Sequence, residues 1–207
     1  MMPPNPHELR VLGCLIEKQR TTPDAYPLSV NALRLACNQS TNRDPVVDWD
    51  ESTVRTAAQR LGERGWARFT SGAGSRAAKY RHVFDAALGL SPGETALLAV
   101  LMLRGPQTPG ELKTRTDRMH GFDSLAEVQE VLEGLAGREL VAAQPRRPGQ
   151  KEQRYVQLLG GDEEEADAAP PAPPPAPVAA EPAGPSLEER VARLEAEVAA
   201  LREELGG

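Results

Sequence analysis

Residues 51–84 read ESTVRTAAQRLGERGWARFTSGAGSRAAKYRHVF. Over residues 51–64, Val54, Ala57, Ala58 and Leu61 fall at i, i+3, i+4 and i+7, one apolar stripe of a helix. Asp50 suits the cap, with Ser52 and Thr53 behind it, and Gly65 suits the position just past the helix end. Residues 66–70 and 78–84 then alternate around a Gly-rich turn at 71–75, the pattern of a β-hairpin. A helix running straight into a hairpin is the second half of a winged helix-turn-helix.

The pattern recurs. Val128 and Leu135 match Val54 and Leu61 at an offset of 74, Leu140 matches Trp66, and Tyr155 matches Tyr80 at 75. The turn of this second copy is basic, with Arg146, Arg147 and Lys151, where the first copy has glycines. A repeat of this length predicts two similar domains in tandem.

Upstream of the first copy, Leu9, Leu12, Leu15 and Ile16 make an apolar side for a helix over residues 7–20. Two prolines, Pro23 and Pro27, then bracket an extended link. A second helix is expected over residues 28–38, with Leu28, Ala32, Leu35 and Ala36 inward. In the second copy Ser91, Pro92 and Glu94 form a capping-box signature ahead of Ala96, Leu97, Val100, Leu101 and Leu103. Thr108 opens the next helix, to about residue 119, and Phe122, Leu125, Val128, Leu132 and Leu135 line the third.

Three stretches of the first domain carry a more specific signal: residues 12–19 (LGCLIEKQ), 22–31 (TPDAYPLSVN) and 36–46 (ACNQSTNRDPV). Together with residues 103–112 (LRGPQTPGEL), they closely resemble the YceH-like family of uncharacterised bacterial proteins with two winged-helix domains. The resemblance spans roughly residues 7–160. It implies the fold and lends no activity, so function rests on the residues themselves.

The predicted class is mainly α with small β-hairpins (α+β): two tandem winged helix-turn-helix domains, a disordered linker and a C-terminal coiled-coil helix. The expected boundaries are a disordered start at 1–6, domains at 7–88 and 89–160, a linker at 161–185 and a closing helix at 186–207. The linker is acidic and then Pro/Ala-rich, a spacer composition. In the closing helix Leu187, Val191, Leu194, Val198, Leu201 and Leu205 alternate by four and three. Valine at a and leucine at d favours a parallel dimer, and Arg190 with Glu195 and Glu197 with Arg202 are complementary across such a pair. A homodimer through this helix is therefore expected.

The net charge of −6 conceals a division. Residues 161–207 hold twelve acidic and three basic side chains; residues 1–160 hold eighteen and twenty-one. An acidic tail thus follows a body of net charge +3, and the body is what a nucleic acid would meet.

Enzyme motifs are missing. His7, His82 and His120 lie in separate elements without ligand spacing, so no metal and no cofactor is expected. The Gly-x-Gly at residues 72–74 joins two strands, whereas a phosphate loop opens a helix. Cys14 and Cys37 read as small buried hydrophobes. No signal peptide is visible, and the longest apolar run, residues 96–103, is too short to span a bilayer, so a cytoplasmic protein without membrane contact is expected.

Double-stranded DNA is the expected partner. In a helix-turn-helix the last helix enters the major groove. Its exposed side here carries Ser52, Arg55, Thr56, Gln59 and Arg60, where arginine suits guanine and glutamine suits adenine. Arg76, Lys79 and Arg81 lie in or beside the wing, placed for a phosphate or minor-groove contact, and Asn42 and Arg43 precede the helix, placed to reach the DNA backbone. The third helix of the second domain carries Glu127, Glu130 and Glu133, which oppose a phosphate backbone. That domain is expected instead to pack on the first domain, on a second copy of itself, or on another protein. The alternative for the whole chain is an interaction scaffold that binds no DNA sequence.

Overall fold

A computed structural model of the chain describes residues 2–70, 78–145 and 152–160. The wing turn with Arg76, the second turn with Arg146, Arg147 and Lys151, the linker and the closing helix lie outside the described residues. Residues 1–163 form one compact unit.

The described residues give α1 (Pro6–Thr21), a 3-10 turn (Pro23–Ala25), β1 (Leu28–Ser29), α2 (Val30–Cys37), α3 (Glu51–Glu63), β2 (Ala67–Thr70) and β3 (Lys79–His82). There follow α4 (Phe84–Leu88), α5 (Pro92–Arg104), α6 (Pro109–Thr116), α7 (Leu125–Gly137), β4 (Val141–Ala143) and β5 (Tyr155–Gln157). The class is α+β, as expected. Among the described residues no helix is long and apolar enough to cross a membrane.

The offset seen in the sequence is kept in space. Helices α3 and α7 each have thirteen residues and start 74 apart. Asp50 caps the first by accepting from the Thr53 N–H at 2.7 Å, and Ser124 caps the second by accepting from Glu127 N–H at 3.1 Å. Both helices end alike, with Trp66 N–H donating to Leu61 O at 2.9 Å and Leu140 N–H to Leu135 O at 3.0 Å. The left-handed residue at this stop is Gly65 (φ 75°) in one copy and Glu139 (φ 56°) in the other. In the first copy the sheet order is β1-β3-β2, with Leu28 opposite Tyr80. In the second, β4 pairs with β5, and Gln107 bridges Tyr155 where a third strand would lie.

One tie repeats that the sequence reading did not anticipate. The Arg64 Nε donates to Glu8 Oε2 at 2.6 Å, and Arg138 Nη1 donates to Glu94 Oε1 at 3.1 Å. In each copy an arginine just past the third helix holds the carboxylate in the first turn of the first helix. Glu8 is 2% exposed, so its charge must be paired.

Helix α1 differs from its expectation. Instead of one apolar side, residues 8–16 are buried without a break. The cause is its position: α1 packs on α2 and α3 of its own copy and on α5 of the other. Helix α5 is likewise buried almost all round, as its near-continuous apolar sequence requires. A Cβ on Gly13 would stand 2.9 Å from Leu103 Cγ, so the glycine lets the two helices approach. The hydrophobic core accordingly runs through both copies.

Helix α2 is corrected. It begins at Val30, because Leu28 and Ser29 are held in β1 and Ser29 caps the helix by accepting from Ala32 N–H at 3.2 Å. Of the four residues expected inward, Leu28 and Ala36 are buried and Ala32 packs partly against the core, while Leu35 turns outward. Leu33, Ala36 and Cys37 are buried, and Leu35 is 55% exposed.

Candidate nucleic-acid interface

On α3 the inner stripe is Val54, Ala57, Ala58 and Leu61, all buried. That leaves Ser52, Arg55, Thr56, Gln59 and Arg60 on the exposed side. These side chains are only lightly tied. Ser52 Oγ donates to Asp50 Oδ1 at 2.9 Å, and Thr56 Oγ1 donates to Ser52 O at 2.9 Å. Arg55 lies 3.4 Å from Glu51, and Arg60 lies 3.7 Å from Glu8. Both guanidiniums are about half exposed, so such pairs are worth little and exchange readily for another anion. Gln59 has no hydrogen-bond partner among the described residues.

The hairpin adds cations. Strand alternation turns Tyr80 and His82 inward and Lys79 and Arg81 outward. Arg68 lies directly opposite Arg81 in the register and is also exposed. Arg68 was missed in the sequence; counting register back from Tyr80 would have found it. On the inner face Phe69 meets Tyr80 edge to face at 5.1 Å, and its ring fills the space a side chain at Gly62 would need. This contact fixes the hairpin against α3.

Arg43 is corrected. Its side chain is fully buried. Nη1 and Nη2 donate to the two carboxylate oxygens of Glu17 at 3.1 and 2.6 Å, Nη2 donates to Gln39 Oε1 at 2.9 Å, and Nε donates to Ala36 O at 3.0 Å. A guanidinium so committed has no donor for DNA. Asn42 is exposed, but its Oδ1 accepts from Arg104 Nη2 of α5. The segment between α2 and α3 is thus pinned from inside. Arg10 completes the work, donating to Cys37 O at 3.3 Å and Pro45 O at 2.8 Å, while Asn38 exchanges two hydrogen bonds with the Trp49 backbone at 2.9 and 3.0 Å.

The remaining chemistry-bearing groups pack. His7 lies on Trp49 with centroids 4.5 Å apart, and His120 on Phe122 at 4.7 Å. His82 is buried, its Nε2 2.6 Å from Gln19 Oε1, and burial pushes its pKa down to about 4. Tyr26 donates no charge to the site; burial pushes its phenol up to about 12, and its Oη accepts from His82 N–H at 2.7 Å. Cys14 and Cys37 are free and buried. Among the described residues no group of three or more His, Cys, Asp or Glu side chains is placed to hold a metal.

In the second copy Glu130 and Glu133 are exposed on α7, but Glu127 is not simply presented to solvent. Its Oε2 accepts from the Asp123 N–H at 2.8 Å, so it serves the helix start. Helix α6 and the turn after it carry Lys113, Arg115 and Arg118, with Lys113 Nζ donating to Phe122 O.

The family profile described as "Protein of unknown function, DUF480" matches residues 5–150. The chain belongs to the DUF480 family. Within it, a UPF0502 protein of Geotalea uraniireducens is 51% identical over 201 residues, covering 94% of this chain and 88% of that one. A UPF0502 protein of Citrifermentans bemidjiense is 55% identical over 157 residues, covering 75% and 73%. The relative named UPF0502 protein YceH, from Salmonella paratyphi A, is 46% identical over 205 residues, covering 96% and 92%. The DUF480 match spans α1 to β4, so it takes in the α3 face and the pinned segment before it.

Proposed function

We propose that each copy is a winged helix-turn-helix and that the first binds double-stranded DNA, as a transcription regulator does, with no catalytic step. Helix α3 is the groove-reading element, and β2 and β3 form the wing. The observation that carries this reading is the arrangement of α3 and the hairpin. Arg55, Gln59 and Arg60 stand on the exposed side of a helix whose other face is buried, and Arg68, Lys79 and Arg81 stand on the outward face of the hairpin that follows it. Arginine and glutamine there read base edges, and the hairpin cations meet phosphates. The four-and-three spacing of Leu187, Val191, Leu194, Val198, Leu201 and Leu205 supports a homodimer, which in the cytoplasm suits a two-half-site operator.

The second reading, a protein-interaction scaffold, is favoured by α7. Its outer face presents Gln129, Glu130 and Glu133 with Leu125 44% exposed at its start, a surface for a protein and not for phosphate. The two readings are separated by Arg55→Glu with Arg60→Glu. The DNA reading predicts that this pair abolishes duplex binding and leaves a partner of the second copy attached. Duplex affinity retained in the folded variant refutes the assignment of α3.

A further inference from the structure

Where the two copies meet, α1, the segment before α3, α5 and α6 enclose a cavity of about 370 Å³. Four cations line it: Lys18, Arg104, Arg115 and Arg118. An adjoining hollow of about 270 Å³ shares Asn42, Arg104 and Arg115 and adds Arg154. None of these lining residues comes from α3 or the hairpin.

Of the carboxylates that line the two hollows, Glu17 and Glu111 are already taken, and Asp44 lines only the smaller one. Glu17 holds Arg43 through both oxygens and lies 3.7 Å from Lys18; Glu111 lies 3.0 Å from Arg154 and 3.5 Å from Arg115. Among the described residues, Arg104 and Arg118 have no carboxylate within ion-pairing distance. Burial first, then the charges of Arg115 and Arg43, hold the Arg104 guanidinium below its ordinary pKa. An excess of positive charge is therefore confined here, and an anion would relieve it.

The neutral groups point to the same chemistry. Gln39 Oε1 accepts from Arg43 and Asn42 Oδ1 from Arg104, which fixes both amides. Their NH₂ groups are left as donors, without partners among the described residues. Val100, Leu103 and Met119 add an apolar part to the wall.

We propose that this cleft binds a small multivalent oxyanion, a phosphoryl-bearing ligand whose carbon frame lies on the apolar part of the wall. Donors and cations face acceptors and negative charge, and the volume falls within the range of small-molecule sites. Because Lys18 belongs to one copy and Arg104, Arg115 and Arg118 to the other, the ligand bridges the two and stabilises their contact.

The test is calorimetric titration of the full chain with inorganic pyrophosphate and, in parallel, citrate, against sodium chloride at matched ionic strength, with melting temperature as a second readout. Saturable pyrophosphate binding that raises the melting temperature is expected. Arg118→Glu, an exposed position, and Arg104→Gln should each weaken it by about 10-fold or more, the scale of a lost charged hydrogen bond. Arg55→Glu with Arg60→Glu should leave it unchanged, which separates this site from the DNA reading. Saturable citrate binding without pyrophosphate binding overturns the phosphoryl assignment. Failure of both anions, equal binding in the Arg104 and Arg118 variants, or displacement of pyrophosphate by duplex DNA overturns the site.

Discussion

Replacing Arg43 with methionine keeps an unbranched stem, two atoms shorter, and removes the charge and all the donors. The structure sets the cost. Two hydrogen bonds to Glu17, one to Gln39 and two to the carbonyls of Ala36 and Asn42 disappear together. Breaking a buried ion pair by removing one partner costs about 3–5 kcal/mol, since the other charge is stranded. Glu17 is 15% exposed and keeps Lys18 at 3.7 Å, which places the cost near the lower end, about 3 kcal/mol. At roughly 2–4 °C per kcal/mol for a chain of this size, the melting temperature should fall by roughly 6–12 °C. Thermal and urea unfolding measure it, and adding Glu17→Gln to the variant should recover part of the loss, with a coupling of about 1 kcal/mol or more. A variant that melts within about 2 °C of the parent yet loses DNA affinity would refute the reasoning and return Arg43 to the DNA contacts.

His82 gives a pH dependence. Its folded pKa, about 4, lies below the ordinary 6.5, so the unfolded chain binds the extra proton first. The stability tied to neutral His82 is complete above pH 6.5 and is lost as pH falls toward 4, by about 3 kcal/mol in all. Asp85, Arg20 and Arg81 act on the ring through their charges, and Gln19 and Tyr26 lie against it. Urea midpoints measured from pH 7 to 4.5 should fall more steeply for the parent than for His82→Gln; equal slopes would contradict the burial argument. Glu139→Gly places at the α7 stop the residue that Gly65 supplies at α3, relieving a left-handed Glu. It should raise stability by about 0.5–1 kcal/mol in thermal unfolding, and a loss of stability would show that Glu139 makes a compensating contact.

How far the sequence could be read depends on what each residue's role requires. Helix α3 was legible because its stripe, cap and stop are local, and the 74-residue offset tied α7 to it. Of the stripe expected for α7, Val128, Leu132 and Leu135 are buried in the helix, Phe122 is buried ahead of it and Leu125 is 44% exposed. The start of α2 and the outward turn of Leu35 were not legible, because Leu28 is held by Tyr80, some fifty residues away, and no local pattern announces that pairing. For the same reason Arg43 read as a surface cation beside a recognition helix. Its burial follows from Glu17 and from the carbonyl of Ala36, contacts set by how α1 and α2 pack. The Arg64–Glu8 and Arg138–Glu94 ties were visible in principle, since both arginines stand at the repeat offset of 74. They become meaningful only when the first helices are seen beside the third. The exposed side of α3 came through intact, because surface is what remains once a helix's inner stripe is correctly assigned.

The central claim, that the first copy binds DNA through α3 and the hairpin, is tested most directly by fluorescence anisotropy with duplex DNA across a salt series, comparing the full chain with residues 1–160. Five cations face outward there: Arg55, Arg60, Arg68, Lys79 and Arg81. If each releases one counterion, the logarithm of affinity should fall with the logarithm of salt with a slope of about −4 to −5. Tighter binding by residues 1–160 would add that the acidic tail competes for the same face. Absence of binding at low salt, with and without the tail, would contradict the claim and leave the scaffold reading in its place.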